Sequence, residues 1–184
     1  MLPFMLPPPV DPTSLIGGPE HRDIVLVEYD PRWPGRFAHE ESKIRSALGP
    51  GALQVEHVGS TSVPGLLAKP IIDILVTLSD IEDEDRYVPA LERAGYLLRV
   101  RESGHRMLRT PELDVHVHLW PNGAPEVQAV LAFRDRLRVD TQDRERYAAT
   151  KRELARRDWP TMNHYAEAKT DVIAAILGRA QPGG

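Results

Sequence analysis

With 184 residues, 41% of them hydrophobic and 27% charged, the chain has the size of one domain and enough apolar side chains for one core. It contains no cysteine, which excludes disulfide frameworks, zinc ribbons, iron–sulfur clusters and thiol catalysis and leaves any metal to oxygen and imidazole donors. Lys+Arg 23 against Asp+Glu 27 gives a formal charge of -4, which argues against duplex nucleic acid as a partner and for a small ligand.

Residues 1–22 read as a proline-rich flexible arm, because six prolines fall within the first twenty positions. Its apolar start lacks the cationic residues and unbroken length of a signal peptide or anchor, so the expectation is a cytoplasmic chain with no membrane partner. Residues 23–180 read as a single domain, a sheet core over 23–122 and C-terminal helices over 125–180. A short apolar run at 24–28 precedes Pro31 and Pro34, which frame a helix start. Residues 33–48 then carry Phe37, Ile44, Ala47 and Leu48 on one side, and Gly49-Pro50-Gly51 stops the helix.

Residues 52–58 alternate as a strand. Residues 71–78 form a nearly continuous apolar run broken by one charge, Asp73, the pattern of a central strand buried on both faces. The acidic start of 80–93 suits a helix N-terminus. Residues 96–102 and 105–110 read as a hairpin around Ser103-Gly104. In 113–120, Leu113, Val115, Val117 and Leu119 share one face, which puts Asp114, His116 and His118 on the other. From Pro125 the period turns helical, with helices through Val139, over 143–157 and over 164–177. Tyr165, Ala168, Val172 and Ile176 form the inward stripe of the last. A mixed sheet followed by helices is an α+β fold.

Three features carry chemistry. Gly59-Ser60-Thr61-Ser62 is a small-residue loop leaving a strand; its amides and hydroxyls suit phosphate oxygens, and an ordinary strand-ending turn explains it as well. Asp73 is a carboxylate in apolar surroundings and needs a cation, a metal or several donors, a structural ion pair with Lys69 or an arginine being the plain alternative. His116 and His118, about 7 Å apart along one strand face, suit one ion, one phosphate group, or hydrogen bonds to Asp73.

The run His57-Val58-Gly59-Ser60-Thr61-Ser62-Val63-Pro64-Gly65-Leu66, followed by Lys69-Pro70-Ile71-Ile72-Asp73-Ile74-Leu75-Val76, resembles the signature of the GrpB family. His116-Val117-His118, Phe133 to Arg138, Tyr147 with Lys151, and Tyr165 with Lys169 continue the likeness from about Val27 to Leu177. The resemblance implies a nucleotidyltransferase (polymerase-β-like) mixed sheet flanked by helices, with a Gly-Ser turn for nucleotide phosphates and a pair of strand acids for Mg²⁺. Gly59 and Ser60 fit the turn and Asp73 fits one acid. Ile71 and Leu75 stand where its partner would be, leaving Asp114, His116, His118 or Glu56 to complete a metal site.

The implied function is binding of a nucleotide or other phosphate ligand, with transfer of a nucleotidyl group from a nucleoside triphosphate to an acceptor. Asp73, His116 and His118 are then the catalytic candidates, Asp73 and Asp114 the Mg²⁺ ligands. Gly59, Ser60, Thr61, Ser62, Lys69, Arg134, Lys151, Tyr165 and Lys169 are the ligand-binding candidates. Residues 134–157 hold nine basic residues against five acids, an excess a polyphosphate would favour, although exposed charged helices also look like this. Arg106 is a further cation beside the histidine strand. Two rival readings are a non-catalytic accessory or sensor module working with an enzyme of coenzyme A metabolism, and a metal-dependent hydrolase built on Asp73, Asp114, His116 and His118.

Overall fold

The structure, a computed structural model, describes residues 10–180. Five strands, β1 (Gln54–Val58), β2 (Ile72–Leu78), β3 (Leu97–Glu102), β4 (His105–Arg109) and β5 (Val115–Pro121), form one sheet in the order β1-β2-β5-β4-β3. β2 and β5 run parallel and every other neighbouring pair is antiparallel. The parallel pair requires a crossover, which runs through a short helix and the β3–β4 hairpin. The result is the mixed α+β sheet anticipated from the sequence.

Helices α1 (Trp33–Leu48) and α2 (Val88–Arg93) cover one face. Ile72, Ile74 and Val76 of β2 and Val115, Val117 and Leu119 of β5 are buried there with Trp33, Ile44 and Leu91. Because strand side chains alternate, packing those residues turns Asp73, Leu75, His116 and His118 to the opposite face, with Asp73 paired to His116 and Leu75 to His118 in the ladder. That face is covered only in part. Ala124 and Val127, at the start of α3 (Pro125–Val139), pack on Val58, Leu75 and Trp120. With α4 (Thr141–Leu154) and α6 (Thr170–Ala180), α3 builds a second core in which Leu137, Tyr147, Ala148 and Ile176 close over Val63, Leu66 and Leu67 of the loop after β1. The site lies between the bare part of the sheet and this helical core.

Three segments depart from their sequence reading. The helix expected over 80–93 shrinks to α2, preceded by a 3₁₀ turn at Glu84–Arg86, because Glu82 and Glu84 are drawn into ion pairs with Arg106 and Arg101. Leu113 leaves the β5 face: its φ of 63° closes a turn in which Thr110 Oγ1 accepts from the amides of Asp114 and Val115. The last helix is two, α5 (Met162–Glu167) and α6, so Tyr165 and Ile176 are buried from separate helices. Of the segment read as an arm, residues 1–9 lie outside the described residues, and from Val10 onward the chain lies against β3 and α5. The Asp11 amide donates to Glu102, the Ile16 amide to the Arg99 carbonyl, and the Met162 amide to the Glu20 carbonyl, each at 2.9 Å. Proline-rich backbone has few internal hydrogen bonds and satisfies its remaining groups on a neighbour.

The turn after β1 carries the sharpest local constraint. Gly59 sits at φ 67°, ψ -174°, a region open essentially to glycine alone, and a Cβ there would lie 2.9 Å from the Asp73 Cβ and collide with its carboxylate. Gly59→Ala is expected to lower the unfolding free energy by about 1–3 kcal/mol, read from urea unfolding midpoints. A loss under about 0.5 kcal/mol, the range of an inconsequential surface change, would mean that the turn relaxes freely.

Candidate functional site

The sheet half of the site is built on Asp73. Its Oδ1 lies 3.4 Å from His116 Nδ1 and 3.7 Å from His118 Nε2. The three residues form the one group of three or more potential metal ligands found among the described residues, with all ligand atoms within 4.8 Å of one another. Their side chains keep 30%, 18% and 25% of their surface in solvent, so the cluster is open to solvent and not sealed in the core. Burial raises the Asp73 carboxyl, but the facing imidazoles of His116 and His118 lower it by more and hold it below its ordinary value, ionised. Burial holds His116 below the usual histidine value against the pull of Asp73, which favours the neutral imidazole that ligates metals.

Behind His118 stands a support that the sequence reading did not include. Glu102 Oε2 is 3.1 Å from His105 Nδ1, and His105 Nε2 is 3.3 Å from His118 Nδ1. Trp120 stacks on both rings, with centroids at 4.7 Å from His105 and 5.5 Å from His118. The signal was latent in the hairpin. Glu102 and His105 close it as a facing pair, and β4 lies beside β5.

The helix half is cationic. Lys151, buried on α4, donates to Ser60 Oγ at 2.9 Å and to the Leu67 carbonyl, and its Nζ lies 4.9 Å from the Tyr147 ring centroid. Lys69 and Lys169 share the ring of Tyr165, at 5.4 and 4.6 Å from its centroid. The Tyr165 hydroxyl is buried without a partner, and none of the three lysines forms an ion pair among the described residues. Burial, reinforced by Lys169 and Lys69, pulls Lys151 down to about 7; burial, reinforced by Lys69, pulls Lys169 down to about 8; and the field of Asp73 opposes both. The break between α5 and α6 places Lys169 in this group, and its side chain folds back onto the Tyr165 ring.

The fold therefore brings Gly59, Ser60, Asp73, His116, His118, Lys69, Lys151, Tyr165 and Lys169 into one neighbourhood. Other candidates do different work. Asp114 lies just before β5, outside the cluster, held by Arg36 at 2.7 Å and the Thr110 hydroxyl at 2.8 Å. Arg134 is engaged with Glu56 at 2.8 Å, with Asp135, and with the His57 carbonyl. Thr61 is buried, donating to the Ile71 carbonyl and meeting His57 Nε2 at 3.0 Å, while Ser62 donates to the Gly59 carbonyl. His57 stacks on Phe37, and burial pulls it down to about 4, so it is a neutral prop for the turn. Arg106 is buried against Glu82 and Glu84. With Leu75 buried at the second acid's position and Glu56 and Asp114 committed elsewhere, the donors do not fit a carboxylate-bridged magnesium pair.

The family model described as GrpB protein matches residues 23–179. The chain belongs to the GrpB family. It is 51% identical over 165 residues to a UPF0157 protein of Halalkalibacterium halodurans, covering 88% of this chain and 85% of that one. The crystal structure of the conserved protein GrpB from Enterococcus faecalis superposes with a TM-score of 0.76 at 35% identity, over 85% of this chain and 96% of the other. The Cid1 poly(U) polymerase bound to MgATP aligns at a TM-score of 0.52 and 11% identity, over 77% and 50% of the two chains, a likeness of fold alone. This GrpB chain is also 30% identical to a dephospho-CoA kinase of Mycolicibacterium paratuberculosis, spanning 42% of that protein's length. No helix among the described residues is long and apolar enough to cross a membrane.

The Lys151 environment has a consequence for stability. Below pH 7 the folded and unfolded chains both carry its proton, and the folded chain bears the whole cost of burying the charge. Between about 7 and the ordinary 10.5 the folded chain sheds that proton and the unfolded chain keeps it, so native stability rises with pH across this window. The urea midpoint of wild type is therefore expected to rise relative to Lys151→Met from pH 7 to pH 10. A constant difference would mean that Lys151 titrates as an exposed lysine.

Proposed function

We propose that this GrpB family chain binds the phosphate groups of a nucleoside triphosphate in the cleft between the Gly59–Ser60 turn and the C-terminal helices, and transfers the nucleotidyl group to an acceptor. The observation that carries the reading is a set of three ammonium groups with no ion-pair partner among the described residues: Lys69 and Lys169 over the ring of Tyr165, whose hydroxyl is buried and unsatisfied, and Lys151 over the ring of Tyr147, close enough for Lys69 and Lys169 to lower its pKa. Like charges held together at depth are unfavourable on their own, and a polyphosphate reverses the sign of that energy. The fully turned backbone at Gly59 lets phosphate oxygens approach the amides of the turn. In the transfer, an acceptor oxygen bonds to the α-phosphorus as the α–β bridging bond breaks, and pyrophosphate leaves with its charge against the lysines.

A second reading has its own support. Leu75, where an acid would complete the superfamily's pair, favours an accessory module that binds the same ligand without turnover. The likeness to a dephospho-CoA kinase supports a partner in coenzyme A metabolism for that module.

Calorimetric titration with ATP separates these readings from each other and from neither. Wild type is expected to bind ATP, with tripolyphosphate competing, and Lys151→Met or Lys169→Met is expected to weaken binding at least about tenfold, the worth of one charge-assisted hydrogen bond. Between pH 7 and 9 binding should take up protons, since the ligand restores the charge that Lys151 and Lys169 shed at about 7 and about 8. Release of pyrophosphate, lost in Asp73→Asn, supports transfer. Binding with no pyrophosphate release supports the accessory module. No ATP binding at millimolar concentration removes both.

A further inference from the structure

The hydrogen-bond chain behind His118 fixes its tautomer. Glu102 is a carboxylate and can only accept, so His105 Nδ1 carries the proton directed at it across 3.1 Å. In the neutral ring that leaves His105 Nε2 as an acceptor, and the contact 3.3 Å away requires His118 Nδ1 to donate. In the neutral His118 ring, Nε2 is then the nitrogen without a proton. It presents a lone pair to Asp73 Oδ1 at 3.7 Å, and His116 Nδ1 lies 3.4 Å from the same oxygen. Both separations are longer than a good hydrogen bond. They match two donors bound to one ion at 2.0–2.2 Å with a tetrahedral angle between them, which lie roughly 3.4 Å apart. A carboxylate facing an imidazole lone pair is repulsive, and either a proton on Nε2, with which His118 stabilises the Asp73 carboxylate, or a cation between the two atoms relieves it; the long separations suit the cation.

We propose that Asp73, His116 and His118 form a mononuclear site for a divalent first-row transition ion such as Mn²⁺, Co²⁺ or Zn²⁺, selected over Mg²⁺ by two imidazole donors. Imidazole suits these ions, whereas magnesium demands oxygen donors and keeps its waters. Glu102 and His105 are positioning residues, which hold the His118 ring and tautomer as outer partners do in metal sites. The docked N-terminal segment takes part, because the Asp11 amide donates to the other Glu102 oxygen at 2.9 Å. Asp73 Oδ1 faces the histidines while its Oδ2 lies over Gly59, so the turn occupies one carboxylate oxygen and leaves the other to an ion on the histidine side. The proposal deepens the phosphate reading of the same cleft and rests on it for the ion's role toward a ligand. The ion's binding is measured without nucleotide, so the two readings fail separately.

The test uses the full, tag-free chain stripped with chelator. Titration with Co²⁺ is followed by visible absorption and by quenching of the fluorescence of Trp120, and Zn²⁺ and Mg²⁺ are titrated calorimetrically. One equivalent of Co²⁺ or Zn²⁺ is expected, bound at least about a hundredfold more tightly than Mg²⁺, in line with the donor preference. Asp73→Asn and His118→Ala should each abolish stoichiometric binding while retaining a cooperative unfolding transition in the metal-free state. Glu102→Gln should keep the stoichiometry, weaken affinity about 10–100-fold and shift the Co²⁺ spectrum, with Glu102→Asp recovering part of both. The wild-type titration decides even if a variant fails to fold. No stoichiometric Co²⁺ or Zn²⁺ binding, Mg²⁺ binding of equal strength, or an unchanged Co²⁺ spectrum in a folded Asp73→Asn overturns the proposal. If metal binds and ATP does not, the site stands and the phosphate reading falls.

Discussion

The contact between Gly59 and Asp73 is the constraint on which the site depends. A carboxylate near the start of the buried β2 has its neighbours Ile72 and Ile74 fully removed from solvent, so its only relief lies on the other face of the sheet. There the chain leaving β1 passes so close that no side chain fits between, and its φ of 67° is glycine's own. The same bend turns Ser60 toward Lys151 and the Thr61 and Ser62 hydroxyls back into the protein, where they bond to carbonyls of Ile71 and Gly59. One missing Cβ thus sets both the depth of the acid and the orientation of the turn.

Much of this was legible in the sequence, for physical reasons that differ by residue. Asp73 stood out because a charge in an unbroken apolar strand has no inexpensive explanation, and alternation alone placed His116 and His118 on its side. The limits of α1 were visible in Pro34 and in Gly49-Pro50-Gly51. Asp114 shows where period-two reasoning ends: it extends the pattern on paper, but Leu113 at φ 63° takes the chain out of the strand and hands the carboxylate to Arg36. Glu102 and His105 were invisible as a site because their role comes from the order of strands in the sheet, which sets β4 beside β5 across a hairpin and carries no local signature. The docked stretch from Val10 was hidden for the opposite reason. Composition reports what proline-rich backbone cannot form internally, and says nothing of the amides and carbonyls of β3 and α5 that it meets.

The cleft divides its chemistry between two halves of different rigidity. Asp73, His116 and His118 come from β2 and β5, neighbouring strands of the parallel ladder whose other face is packed in the core, so their backbone positions are firmly held. The cations come from the loop after β1 and from α4 and the α5–α6 break, held by the second core of Leu66, Leu137, Tyr147 and Ile176. Lys69 and Lys169 meet over one aromatic ring, a contact that tolerates small shifts because cation–π attraction varies gently with position. A demanding first half and an adaptable second half suit a ligand whose reacting atom must be placed accurately while its charged tail only needs compensation.

Asp73 is the single acid on β2, and that sets the charge balance of the site. With two carboxylates on β2, the net charge facing the lysines would be lower, and the ammonium groups would find partners inside the protein. With Asp73 alone, opposed by Lys69, Lys151 and Lys169, the cleft keeps a positive excess that burial makes costly, as the depressed pKa values of Lys151 and Lys169 register. A divalent ion held by Asp73 and two neutral imidazoles would raise that excess further, so metal and polyphosphate would each strengthen the binding of the other. The histidines would complete a ligand set beside the lone acid without adding negative groups that quench the lysines. Imidazole in place of a second carboxylate would thus leave the counter-charge of the lysines to a bound anion.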